Sequence, residues 1–208
     1  TGTYVANLQE AIERRVDVPA GYFLQYGGAF EDQQRAMNHL YIVVPISLLI
    51  IIGLLYMMFG KFRFTMLIFL NLPIALSGGI FILWIRGLYL SVSASIGFVA
   101  LFGVAVLNGI VLISHLNDLR VSGKGLKEAV IQGSADRLRP VLMTALVASL
   151  GFLPMAFNVG PGSEVQRPLA SVVIGGLVTS TLLTLLVLPT IYHWMEKGKK
   201  LVEKTKEF

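Results

Sequence analysis

The sequence predicts an all-α, polytopic membrane protein of five transmembrane helices, with a short α/β segment at its N-terminus. Two observations carry that prediction. Five stretches, residues 36–60, 64–85, 87–117, 140–163 and 168–195, contain no Lys, Arg, Asp or Glu. Each is long enough to cross a bilayer core, which takes about 20 mostly apolar residues at about 1.5 Å of rise each. Only 14% of the 208 residues are charged and the mean hydropathy is positive, so a soluble fold would need an implausibly large dry core. The odd number of spans is a first hint that the chain is part of something larger.

Residues 1–38 form the first region. Val5, Leu8 and Ile12 recur at helical spacing among Glu10, Glu13, Arg14 and Arg15, which predicts a surface helix over 3–16. Val18-Pro19-Ala20-Gly21 is a turn signal, and the aromatic run 22–26 predicts a short strand ended by Gly27-Gly28. One helix and one strand cannot bury a core alone, so this reads as the end of a soluble α/β domain whose other strands lie elsewhere.

Residues 39–195 hold the five spans, expected at about 40–59, 64–84, 92–115, 141–157 and 169–193. The first is dense in Ile, Leu and Val and ends in a basic turn around Lys61 and Arg63. Asn71 and Pro73 interrupt the second, which closes on Trp84 as an interface aromatic. Small residues mark the third (Gly97, Gly103, Gly109) and the fifth (Gly175, Gly176), predicting close helix approach where lipid offers no hydrophobic contrast. The connection 116–139 places Leu126, Ala129 and Val130 on one helical face. That fits an amphipathic helix at the interface or a plain connecting helix docked on the bundle. The tail, 196–208, is basic.

Charge sets the expected orientation. Twelve of the seventeen Lys and Arg residues fall at 61–63, at 120–139 and in the tail, whereas the opposite connections carry only Arg86 and Arg167. By the positive-inside rule the tail is cytoplasmic, and the N-terminal segment with loops 85–91 and 158–168 lies outside. The net charge of +5 is thereby a topology signal, and nucleic acid is not an expected partner. Thr1 is not an initiator Met and no signal peptide follows, so a preceding segment is expected to place residues 1–38 outside.

Chemistry is sparse. Disulfides and thiolate metal sites are excluded because the chain has no cysteine. There is no His-x3-His, no paired carboxylate set, and no nucleotide-loop, serine-hydrolase or zinc-protease motif, so neither an enzyme nor a cofactor nor a resident metal site is expected. An ionisable group at membrane depth is costly and usually marks an ion or proton path, yet no span carries a carboxylate at its centre. Asn71, Asn108 and Thr144 are the notable polar side chains at depth, with His115 and His193 near span ends. Asn and Thr there either bridge helices or support a water or proton path.

The run Gly103-Val104-Ala105-Val106-Leu107-Asn108-Gly109-Ile110-Val111-Leu112 resembles the tenth transmembrane helix of resistance–nodulation–division (RND) efflux pumps. Leu138-Arg139-Pro140-Val141-Leu142-Met143-Thr144 and Gly151-Phe152-Leu153-Pro154-Met155 resemble the next helix. Gly160-Pro161-Gly162-Ser163-Glu164-Val165-Gln166-Arg167-Pro168, leading into Gly175-Gly176, is similar to the heavy-metal branch, of the cobalt–zinc–cadmium type. The resemblance covers essentially the whole chain in order. It implies that the spans are helices eight to twelve of a twelve-helix pump and that 1–38 ends a periplasmic porter domain.

The resemblance further implies proton/metal antiport in a bacterial inner-membrane homotrimer. The partners it implies are the N-terminal half of the pump, a periplasmic adaptor, an outer-membrane channel and the lipid bilayer. The essential acidic relay of such pumps lies on the fourth helix, so the isolated chain is expected to be transport-incompetent. Leu107, Val141 and Gln166 stand where other branches carry Lys, Lys and Met, against a Lys-assisted relay and against copper or silver. Asn108 and Thr144 are then expected to face the acidic helix, with Arg137 and His115 toward the cytoplasmic end of the proton path, while Gly103, Gly109, Gly175 and Gly176 pack helices. The competing expectation is a stand-alone membrane scaffold or assembly remnant without transport.

Overall fold

The computed structural model describes Leu8, Ala11, Ile12, Arg14 and residues 29–197, with Ala29, Phe30, Asp32 and Gln33 described in backbone alone. Leu8, Ala11, Ile12 and Arg14 are helical; the strand expected over 22–26 and the tail beyond 197 lie outside the described residues. Among the described residues there is no strand.

The first helix, α1, spans Ala29–Phe59 and contains Pro45. The chain divides into two compact units, 1–48 and 49–208. In the first, Arg35 pairs with Glu31 one turn earlier, an exposed pair of small energetic weight. Ser47 Oγ donates to Val43 O at 2.8 Å.

The second unit begins in the last turns of α1, where Leu55 is buried. It continues with α2 (Phe62–Phe69), α3 (Asn71–Ile85), α4 (Val92–Val121), α5 (Leu126–Phe157), α6 (Ser163–Leu182), a π-helical turn (Leu183–Val187) and α7 (Leu188–Glu196). Among the described residues five helical segments are long and apolar enough to cross a membrane: Gln34–Phe59, Phe62–Ile85, Val92–Val121, Leu126–Phe157 and Ser163–Glu196. The chain is thus a multi-pass membrane protein.

Two spans are irregular, and proline explains both. Pro73 lies in the first turn of α3, where its missing N–H costs nothing, but its ring disfavours continuing the helix through Leu70. Pro189 opens α7 directly after the π turn, which widens the helix where its ring would meet the preceding turn. At the other end of the scale, α4 starts cleanly on Ser91, whose Oγ accepts from Ala94 N at 3.3 Å.

The connection expected over 116–139 is almost entirely helix. Helix α4 continues to Val121, and the stretch from Leu126, read as an amphipathic or docked connecting helix, opens the 32-residue α5, which runs on through Pro140 and Pro154. Only 122–125 turn, with Gly123 at φ 92°, a conformation that glycine adopts without strain. Gly133 and Ser134 do not interrupt the helix, so the amphipathic stretch and the fourth span join.

Helix α6 sits at the centre of this unit, packed on α3, α4 and α5. Contacts between Gly97 and Leu169, Leu101 and Gly176, and Asn117 and Tyr192 advance together, so α4 and α6 run parallel. Asn71 meets Thr184 and Gly78 meets Thr179, so α3 runs antiparallel to α6. Backbones nearly touch: a Cβ on Gly175 would lie 2.8 Å from Gly78 O, and one on Gly97 would lie 2.9 Å from Leu169 O. Such approach maximises van der Waals contact between helices surrounded by lipid.

Candidate proton-path site

Asn108 lies midway along α4 and is 7% exposed, with its Nδ2 buried and without a hydrogen-bond partner among the described residues. Its neighbour Leu107 is exposed. Thr144 is exposed on α5, and its Oγ1 donates to Pro140 O at 2.9 Å, back into its own helix. That bond occupies the hydroxyl proton and gives a second donor to the carbonyl of the helix-interior Pro140. No hydrogen bond joins Thr144 to Asn108 among the described residues.

The other two candidates lie where α4 and α5 converge toward the 122–125 turn. His115 Nε2 and Asp136 Oδ2 are 3.0 Å apart, a cross-helix pair half-open to solvent. Gly133 permits it, since a Cβ there would come within 2.5 Å of Leu116 Cδ2. Arg137 follows Asp136 and is half-buried, with Nε lacking a partner among the described residues. Sequence reasoning missed Asp136; the only available signal was its place on a helical stretch that could fold back beside His115.

The packing glycines divide. Added Cβ atoms would lie 2.0 Å from Leu101 Cδ2 at Gly176, 2.6 Å from Ile82 Cγ2 at Gly175 and 3.1 Å from Ile68 Cγ2 at Gly109. At Gly103 a Cβ would meet nothing within 4 Å among the described residues, so this expected packing residue faces open space there. Gly103 shares the outward face of α4 with Ile96, Val99 and Leu107, all exposed.

Two further polar joints went unread. Arg86 donates from Nη1 to Ser171 Oγ and from Nη2 to Ala156 O, both at 2.6 Å, and lies 5.3 Å from the Phe157 ring centroid. This ties α3, α5 and α6 and places a cation at the C-terminal end of α5, where the helix dipole favours it. At the opposite end of the bundle, Tyr192 Oη donates to Asn117 Oδ1 at 2.7 Å while its ring stacks on Phe64. Among the described residues no group of three or more His, Asp or Glu side chains is placed to hold a metal ion.

Residues 1–196 match the model of the AcrB/AcrD/AcrF family. The chain is 52% identical over 206 residues to the cobalt-zinc-cadmium resistance protein CzcA of Cupriavidus metallidurans, covering 99% of this chain and 19% of that protein. To the nickel-cobalt-cadmium resistance protein NccA of Alcaligenes xylosoxydans xylosoxydans it is 47% identical, covering 98% and 19%. A crystal structure of a heavy metal efflux pump superposes with a TM-score of 0.75 at 45% identity, over 93% of this chain and 19% of that one. The chain therefore spans about one fifth of the length of the relatives it matches.

Proposed function

This chain belongs to the AcrB/AcrD/AcrF family, and we propose that it is the C-terminal membrane portion of an RND pump exporting divalent heavy-metal cations in exchange for protons. Residues 1–38 end its periplasmic porter domain, 39–195 form its last five spans, and the tail 196–208 is cytoplasmic. The complete pump is a homotrimer in the bacterial inner membrane, completed by the N-terminal half and joined by a periplasmic adaptor and an outer-membrane channel.

One observation carries the reading: about half of the residues are identical to those of proteins named for cobalt, zinc, cadmium and nickel resistance, over nearly the entire chain. Leu107, Val141 and Gln166 support the same divalent preference. The metal ion is cargo; among the described residues no group of three or more His, Asp or Glu side chains is placed to hold it.

The role of this half follows from its chemistry. Asn108 is a buried neutral donor without a partner among the described residues, suited to hydrogen-bond a carboxylate or a water chain without fixing its charge. Thr144 presents a hydroxyl oxygen on an exposed face of α5. Arg137 and the His115–Asp136 pair lie together near the 122–125 turn, where protons pass to or from the cytoplasm. The charge that titrates during transport comes from the other half, so the chain alone does not transport. Cells lacking their own exporters and expressing the complete pump become resistant to zinc, cobalt or cadmium. Protection against copper or silver alone contradicts the divalent assignment.

The second reading, a scaffold remnant without transport, is favoured by the lack of any carboxylate within the charge-free stretches. It predicts that these 208 residues are a mature, separate polypeptide in the cell. Immunodetection of a band near 22.7 kDa, rather than one several times larger, separates the two.

A further inference from the structure

At the joint between α3, α4 and the π turn, hydrogen-bonding capacity is left unused among the described residues. Asn71 Nδ2 lies 3.0 Å from both Ala105 O and Thr184 Oγ1. A carbonyl oxygen only accepts, so this contact fixes which end of the amide is nitrogen. Asn71 Oδ1 is then a buried acceptor with no donor. Thr184 Oγ1 accepts from Asn71, so its own proton is left to donate elsewhere. Ser180, one helical turn before Thr184, also carries a buried Oγ without a partner.

The backbone supplies an independent observation. Leu188 N–H bonds Leu183 O, five residues back. In that register the donor for the Thr184 carbonyl belongs to residue 189, and Pro189 has no N–H. Asn71 and Thr184 are 0% exposed and Ser180 is 1% exposed, and Leu72 next to Asn71, Ala105 whose carbonyl Asn71 bonds, and Leu183 next to Thr184 are buried apolar residues. Buried polar groups are costly when unpaired, and membrane surroundings offer no solvent to relieve them.

We infer that this joint binds an ordered internal water. The water donates one proton to Asn71 Oδ1 and accepts from the hydroxyls of both Ser180 and Thr184, leaving its second proton for the Thr184 carbonyl. That gives it the two to four partners that hold buried waters in place. The donor and acceptor set is mixed and neutral, with no carboxylate, which suits water rather than a metal cation. The water joins the two irregular points of the bundle, the α2–α3 break at Leu70 and the π turn, through bonds that exchange. The inference does not depend on the transport reading.

Water-edited 15N solid-state NMR on the 208-residue chain in lipid bilayers tests it, with Asn71→Ala used to assign the Asn71 side-chain amide. That amide gains signal from water protons at short mixing times, whereas the backbone amides of Leu101 and Leu112 do not. Ser180→Ala and Thr184→Val each lower the transfer severalfold at unchanged helix content by circular dichroism. An Asn71 amide silent toward water in the wild type overturns the inference. Transfer that survives Ser180→Ala undiminished also overturns it, and this substitution removes only an oxygen, so it remains informative if Thr184→Val does not fold.

Discussion

Replacing Gly175 by Ala tests whether backbone approach holds the central helix. The new Cβ would stand 2.8 Å from Gly78 O and 2.6 Å from Ile82 Cγ2. Carbon atoms pack at about 3.5–4.0 Å, so the Ile82 contact falls short by about 1 Å. Ile82 can turn away, but the Gly78 carbonyl belongs to the backbone of α3 and moves only if the helices part. Overpacking of this kind costs about 1–3 kcal/mol. Gly103→Ala is the matched control, because a Cβ there meets nothing within 4 Å, and the exchange gains up to about 1 kcal/mol of helix propensity. Reversible unfolding of the chain in mixed micelles, followed by helical circular dichroism, measures both. Gly175→Ala is expected to lose stability and Gly103→Ala to hold or gain it. Equal stability of Gly175→Ala and wild type would refute the close-contact account of the α3–α6 interface.

Three further outcomes are expected. Arg86→Gln removes a cation that bonds the end of α5 and Ser171, and the same unfolding assay should register a loss of about 2 kcal/mol, in the range for hydrogen bonds to charged groups. His115 and Asp136 form a half-open pair, so a double-mutant cycle through His115→Gln and Asp136→Asn should give a coupling below about 1 kcal/mol; a much larger value would mean the pair is sealed from water. In the complete pump, Asn108→Leu should depress proton-coupled metal transport while leaving membrane abundance unchanged on immunoblots.

The spans were legible because bilayer thickness acts on composition alone: five charge-free stretches became five membrane-length helices. Asn71 was legible as an interhelical bonding residue, since a polar side chain at that depth must find partners. Its partners were not, because Ala105 and Thr184 lie 34 and 113 residues away. Arg86 read as a topology charge in a loop, yet it reaches back to Ser171 and Ala156. Charge counting records a residue's side of the membrane and nothing of where a flexible guanidinium ends. Gly103 shows the converse limit: a small residue permits close approach, and whether a helix arrives depends on which neighbours are present.

The most direct test of the account is pH-gradient-driven metal flux in proteoliposomes. The complete pump should move zinc, cobalt or cadmium when a proton gradient is imposed and stop when it is collapsed, and the 208-residue chain alone should move none. Gradient-driven zinc movement by this chain alone would contradict the claim that the titrating charge lies in the other half, and metal movement by the complete pump that ignores the gradient would contradict proton coupling.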